Sequence, residues 1–254
     1  MRIVVAPDKF RGTVTASQCA AALAEPLRSA GHDVVVTPMA DGGEGTLDAL
    51  GGANRRTTVT GPTGDPVDAE WRLSGRRAVI EMAQASGLEL VGGADGNDAV
   101  AASTYGTGEL IAAALDAGAR DIVVGAGGSA TTDGGLGALR ALYPVHRLRG
   151  VTLSVACDVR TRFVDAARRF APQKGATPSQ VRLLVNRLER LEQVYLDEYG
   201  VDVAALDCAG AAGGLAGGLA CVGGELLSGF DLVAERLDLD ALVEGADLVV
   251  TGEG

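Results

Sequence analysis

The chain opens with an apolar run at residues 3–6, then a polar loop at 7–12, then apolar positions at helical spacing from 15 to 30. An unbroken apolar run rich in β-branched residues predicts a buried parallel strand over 2–6. The next segment predicts a helix with Cys19, Ala20, Leu23 and Leu27 on one face, kinked or shortened by Pro26 and ended by Gly31. Residues 33–37 form a second strand. This βαβ start places the polar loops 8–12 and 40–46 at strand C-terminal ends, where open α/β sheets bind ligands.

From 57 to 87 the rhythm changes. Short β-like runs at 57–60 and 67–73 flank Gly61-Pro62-Thr63-Gly64-Asp65-Pro66, and a further run at 78–82 follows a Ser-Gly-Arg-Arg turn. Hairpins thus replace crossovers, and a domain boundary is expected near residue 62. A helix follows over 109–117, with Thr107 as N-cap and Gly118 as terminator. The strand 121–124 then delivers GAGGSATTDGG, residues 125–135, ahead of a helical pattern at 136–142. Residues 150–156 read as a strand, and 179–199 as an amphipathic helix with Val181, Leu184, Leu188, Leu191 and Tyr195 inward. Residues 208–224 are dense in Gly and Ala. Residues 246–250 are a last strand, followed by Thr251-Gly252-Glu253-Gly254.

Composition narrows the function classes. The 254 residues carry a formal net charge of −11, which argues against a general nucleic-acid binder. No apolar run approaches the length of a membrane span. The N-terminus lacks a secretory pattern, and four dispersed cysteines without a C-x-x-C pair fit thiols in a reducing cytoplasm. Of the 22 basic residues, eleven fall between Arg140 and Arg190, which suits a solvated helical face or an anionic small molecule. Lys9 and Lys174 are the only lysines, each in a short Pro/Gly-bounded segment. A compact ammonium reaches a phosphate differently from a guanidinium, so both are candidates.

The loops carry the candidate chemistry. In 125–135, glycines let backbone N–H groups approach an oxyanion, the following helix adds positive partial charge, and Ser129, Thr131, Thr132 and Asp133 add hydroxyls and a carboxylate. The same loop also satisfies the description of a tight turn. Residues 39–46 place Asp41, Glu44 and Thr46 among three glycines, suiting Mg²⁺ or a polyol, or simply an acidic helix start. The chain has no P-loop sequence, no dinucleotide G-x-G-x-x-G between strand and helix, no protein-kinase set and no G-x-S-x-G elbow. Two histidines make a Ser-His-Asp triad or a histidine metal cluster a poor fit. Glycine loops, carboxylates, hydroxyls and two lysines are the ingredients of phosphoryl transfer.

Taken in order, PDKFRG (7–12), PMADGGEGT (38–46), EMAQASGL (81–88), STYGTGELI (103–111), GGSATTDGG (127–135), ACD (156–158), PQKGAT (172–177), AGAAGGLAGG (209–218) and ADLVVTGEG (246–254) resemble the glycerate kinase family. The resemblance spans the chain. It implies ATP-dependent phosphorylation of D-glycerate with Mg²⁺ on two α/β domains. One is a discontinuous Rossmann-like domain, residues 1–62 and 237–254; the other is inserted at 63–236. Members commonly carry Lys where Arg11 stands, are longer between 143 and 171, and continue past the final TGEG, so the Rossmann-like domain is expected to lack its C-terminal part. An alternative is a non-catalytic remnant that binds nucleotide or glycerate without turnover.

Within that resemblance, Asp41, Lys9 and Asp133 are the expected catalytic residues, with Arg11, Asp8, Glu44 and Thr46 on the substrate. Gly127, Gly128, Ser129, Thr131, Lys174, Gly213 and Gly214 are expected on nucleotide phosphates, and Asp41 with Glu253 on the metal. The implied partners are ATP and D-glycerate, with no nucleic acid or membrane, and a homodimer as a further expectation.

Overall fold

The computed structural model describes residues 1–10 and 12–254 and contains two sheets. In chain order the elements are β1 (Arg2–Val5), α1 (Ala16–Ser29), β2 (Asp33–Val36), α2 (Thr46–Ala49), β3 (Arg55–Thr60), β4 (Pro66–Ser74), β5 (Arg77–Glu81), α3 (Ala83–Ser86) and α4 (Tyr105–Asp116). They continue as β6 (Asp121–Gly125), α5 (Leu136–Ala141), β7 (Thr152–Cys157), α6 (Asp165–Phe170), α7 (Pro178–Tyr199), α8 (Leu215–Ala220), β8 (Gly224–Ser228), α9 (Gly229–Arg236), α10 (Leu239–Glu244) and β9 (Leu248–Val250).

The smaller sheet has the order β2-β1-β9 and is wholly parallel, pairing the two ends of the chain through Ile3 with Leu248 and Val5 with Val250. The larger runs β3-β4-β5-β6-β7-β8, antiparallel through β5 and parallel from there on. The hairpins expected from 57 onward are therefore present, and the fold is mixed α/β. The change of sheet comes ahead of residue 62. Because β3 pairs with β4, the chain leaves the small sheet between α2 and β3.

Two helix expectations are corrected. In α1 the buried face is Ala16, Ala20 and Ala24, while Leu23 is exposed, and the helix runs through Pro26 to Ser29. Its start is fixed by a capping box between Thr15 and Gln18. Helix α4 begins at Tyr105, so Thr107 lies inside it, fully buried, with its hydroxyl 2.8 Å from Ser86 Oγ. The amphipathic reading of α7 holds, with Leu184, Leu188 and Tyr195 in the core.

The main core lies between the larger sheet and α4, α5 and α8, around Ile80, Leu110, Ile122, Leu142 and Leu215. On the other face of that sheet, Val79, Val123 and Ala156 meet Leu47 of α2 and Leu232 of α9. Val233, the next residue of α9, packs instead with Val4, Ala6 and Met39 of the small sheet. Adjacent residues of one helix thus bind the two sheets together. The result brings the C-terminal ends of both sets of parallel strands to a common cleft.

Candidate active site

The small sheet contributes the loops after β1 and β2. Lys9 Nζ lies 3.1 Å from Asp41 Oδ1 and 3.9 Å from Asp8 Oδ1. Asp41 Oδ1 also accepts the Gly43 N–H at 3.0 Å, closing a tight turn on the carboxylate. Burial opposes ionisation of Asp41, but the Gly43 N–H and the Lys9 ammonium outweigh it and hold the carboxyl below the usual range. Asp8 moves the other way: burial raises it, with Lys9 and its own neighbouring N–H only partly offsetting, and Glu253 contributing like charge.

The larger sheet supplies the opposite wall. Ala126 N donates to Ala156 O at 3.0 Å as β6 ends, and the glycine loop is then tied to the segment after α3 through Leu88 N to Gly128 O and Ala130 N to Ser86 O. Behind it stands Lys174, 3% exposed, whose Nζ donates at 2.7 Å to both Ser129 Oγ and Thr131 O. With no carboxylate bonded to it, burial pulls this ammonium down to about 7, against the weaker opposing pull of Asp133 and Asp158. Asp158, just past β7, is open to the cleft yet lies deep between its walls. Partial desolvation and then the Asp41 charge push it up, while Lys9 and Lys174 act in the opposite sense.

The two walls touch through backbone. Cβ atoms added at Gly127 and Gly229 would overlap Gly43 Cα and the Asp41 carbonyl, respectively, and one at Gly42 would lie 2.9 Å from Ala156 C and O. Only glycine permits the Asp41-Gly42-Gly43 turn to sit this close, and Gly42 also needs its φ of 92°. A buried carboxylate completes the junction. Glu81, ending β5 and 6% exposed, accepts the N–H of Gly45 at 2.9 Å and of Leu47 at 2.7 Å. Burial raises its carboxyl despite those two donors.

Two cavities of about 500 and 650 Å³ flank this junction and share Glu44, Glu81 and Gln84. Lys9 lines the first; Gly127, Gly128, Ser129, Asp158, Lys174 and Gly213 line the second. Of the residues anticipated from sequence, Asp8, Lys9, Asp41, Glu44, Gly127, Gly128, Ser129, Lys174 and Gly213 are therefore brought together. Glu253 is exposed, its charge within reach of Asp8. Arg11 lies outside the described residues.

The rest serve the scaffold. Asp133 turns away from the cleft. Its Oδ2 accepts from Thr104 N and Oγ1 at 2.8 Å and Gly137 N at 3.2 Å, and its Oδ1 from Gly135 N at 3.1 Å, which anchors α4 to α5. Thr46 is buried and donates to Gly43 O at 2.7 Å. Thr131 is buried behind the loop, its carbonyl rather than its hydroxyl engaged. Gly214 allows close packing, since a side chain there would strike Gly134, and Gly213, at the cavity wall, packs as closely on the Thr131 carbonyl. Glu81 and Asp158 were the residues missed. Each is a carboxylate directly ending an apolar strand run, the one available signal.

The model of the glycerate kinase family matches residues 3–144 and 144–254. Over all of this chain and 77% of the relative, the sequence is 40% identical to a glycerate 2-kinase of Escherichia coli (strain K12). It is 42% identical, over 99% of this chain and 77% of the relative, to a glycerate kinase of Halalkalibacterium halodurans. A crystal structure assigned to glycerate kinase 2 of Salmonella typhimurium LT2 superposes with a TM-score of 0.91 at 38% identity, covering 100% of this chain and 78% of that one. Among the described residues no helix is long and apolar enough to cross a membrane.

Proposed function

The chain belongs to the glycerate kinase family and is a kinase, and from that premise we propose that it transfers the γ-phosphoryl group of ATP to a hydroxyl of D-glycerate in the cleft between its sheets. The observation that carries this reading is the apposition of the Lys9–Asp41 pair to the Gly127–Ser129 loop across the Gly43–Gly127 contact.

The glycine loop, with Ser129 held by Lys174, offers N–H and hydroxyl donors to phosphate oxygens. Lys9 supplies the mobile positive charge between the carboxylates, and Arg11 is assigned to the glycerate carboxylate. Asp8, whose carboxyl is raised, is the stronger base of the pair beside Lys9 and receives the proton of the attacking hydroxyl. Asp41, kept ionised, holds Lys9 and the metal side of the cluster.

Magnesium fits the donor set in one specific way. Among the described residues no three metal-ligating side chains converge into a cage. After burial, the Asp41 charge is the next influence raising Asp158, a repulsion that a divalent cation relieves. Mg²⁺ needs only one or two carboxylates when nucleotide phosphates and water complete its shell. These two would hold it, with Glu253 at the margin, and when bound it would neutralise charge on the transferred group.

The test is incubation of the purified, folded chain with ATP, Mg²⁺ and D-glycerate at millimolar concentration, with the product read by ³¹P NMR. A phosphomonoester on glycerate supports the reading, and its chemical shift and couplings give the hydroxyl used. Absence of turnover overturns it.

A further inference from the structure

A third cavity, of about 290 Å³, lies at the other end of the parallel strands, between the larger sheet and the ends of α2 and α9. Its lining includes Arg72 of β4, Arg77 of β5 and Arg236 of α9, with Ser74 beside them and Leu50, Gly51 and Leu237 as walls. We infer that this pocket binds an oxyanion of the phosphate class, at a site separate from the cleft.

The argument is one of surplus charge and surplus donors. Arg236 Nη1 and Nη2 form a two-point bond with the Asp121 carboxylate at 2.8 and 2.9 Å, and Arg77 Nε joins the same group at 2.7 Å. Burial works against ionised Asp121, yet these bonds prevail and keep it below the usual carboxylate range. One firmly ionised carboxylate thus answers two guanidinium groups. Arg72 brings a third, and among the described residues its acceptors are the carbonyls of Gly51 and Gly52 alone, at 2.7 and 3.0 Å from Nη1.

Three cations therefore surround a cavity with one carboxylate among them, in a chain whose overall charge is −11. Each guanidinium has more N–H groups than these bonds use, and Arg236 Nε is buried with no acceptor at all. An arginine fork matches tetrahedral oxyanions by geometry as well as charge. Half-exposed Arg77 leaves the pocket reachable from solvent. The cavity exceeds what bare phosphate needs, so a small phosphomonoester also fits. Because its walls are the end of α2, which follows the Asp41 loop, and the end of α9, which begins at Gly229, an anion here ties both helices to the larger sheet.

Calorimetric titration with inorganic phosphate, repeated with glycerol 3-phosphate at constant ionic strength, tests this site. The expected result is that Arg72→Ala and Arg77→Ala each weaken binding about tenfold, roughly 1.4 kcal/mol, with kinase turnover in phosphate-free buffer unchanged. Arg72→Lys, which keeps the charge but not the fork, should recover only part of the loss. Circular dichroism of each variant confirms that it is folded. Tighter binding of the phosphomonoester identifies a phosphorylated small molecule as occupant, and equal binding identifies free phosphate. Phosphate binding that survives both alanine variants and is lost with Lys9→Met places the anion in the cleft and overturns the inference, as does the absence of binding at tens of millimolar phosphate. Neither result depends on whether glycerate is the kinase substrate.

Discussion

Among the cleft carboxylates, environment sets the role. Asp41 is ionised at any pH near neutrality because Gly43 N and Lys9 Nζ both favour its charged form, whereas Asp8 is pushed toward the range where a base is useful. In a phosphoryl transfer dominated by charge stabilisation, loss of Asp41 should cost more than loss of the base. Asp41→Asn is expected to reduce kcat about 10³-fold and Asp8→Asn about 10²-fold, in steady-state kinetics. Neither should change stability by more than about 1 kcal/mol, because the Lys9 pair is partly open to solvent.

Lys174 gives a residue-scale prediction of opposite character. Its ammonium titrates near 7 in the folded chain and at 10.5 when exposed. Between those values the unfolded chain binds a proton that the folded chain has released, so stability rises with pH across that window. Below about 7 both states are protonated and the burial cost is present in full. Denaturant midpoints measured at pH 7 and 9.5 should therefore increase for the native chain, and the increment should shrink in Lys174→Met.

At the scale of elements, the site depends on how the turn after β2 is held. Glu81 binds it from β5 through two backbone N–H groups, both lost as partners in Glu81→Ala. Leaving one buried and one half-buried donor unsatisfied costs about 2–3 kcal/mol. Glu81→Gln keeps an amide oxygen in place and should cost less than half as much in a chemical-denaturation comparison. Gly127→Ala acts on the same turn from the other side. Its methyl group would enter the space of Gly43 Cα, pushing the glycine loop from the Asp41 turn. Expected is a fall in kcat/KM of about 10²-fold, with far-UV circular dichroism retained, since a small loop misplacement is costly to phosphoryl positioning.

At the scale of the whole molecule, two sheets of different construction are joined by α9, by glycine contacts and by Glu81, and the cleft exists only where they meet. A ligand that spans both walls must bind the folded chain alone. A non-hydrolysable ATP analogue with Mg²⁺ at about a hundred times its Kd should add about 2.7 kcal/mol of stability. Differential scanning calorimetry with and without the analogue measures this, and no rise in Tm would contradict nucleotide binding in the cleft.

The sequence by itself determined every strand but β8 and the helices α1, α4, α5 and α7, because buried parallel strands read as unbroken apolar runs and α7 carries its helical period openly, whereas β8 and the short helices α6, α8, α9 and α10 carry no comparable signal. It also located the loops that form the cleft, since Gly, Asp and Lys at strand ends have few other uses. Tertiary structure alone decided which loop residues face that cleft. Asp133 looks like Asp41 in sequence, each beside a glycine pair, yet Asp133 is saturated by five N–H and O–H donors at the starts of α4 and α5, which local spacing cannot reveal. Glu81 is the converse: its partners, Gly45 and Leu47, lie 36 and 34 residues away and belong to the other side of the cleft. A carboxylate's role is set by the donors that reach it, and those are assembled only when the chain folds.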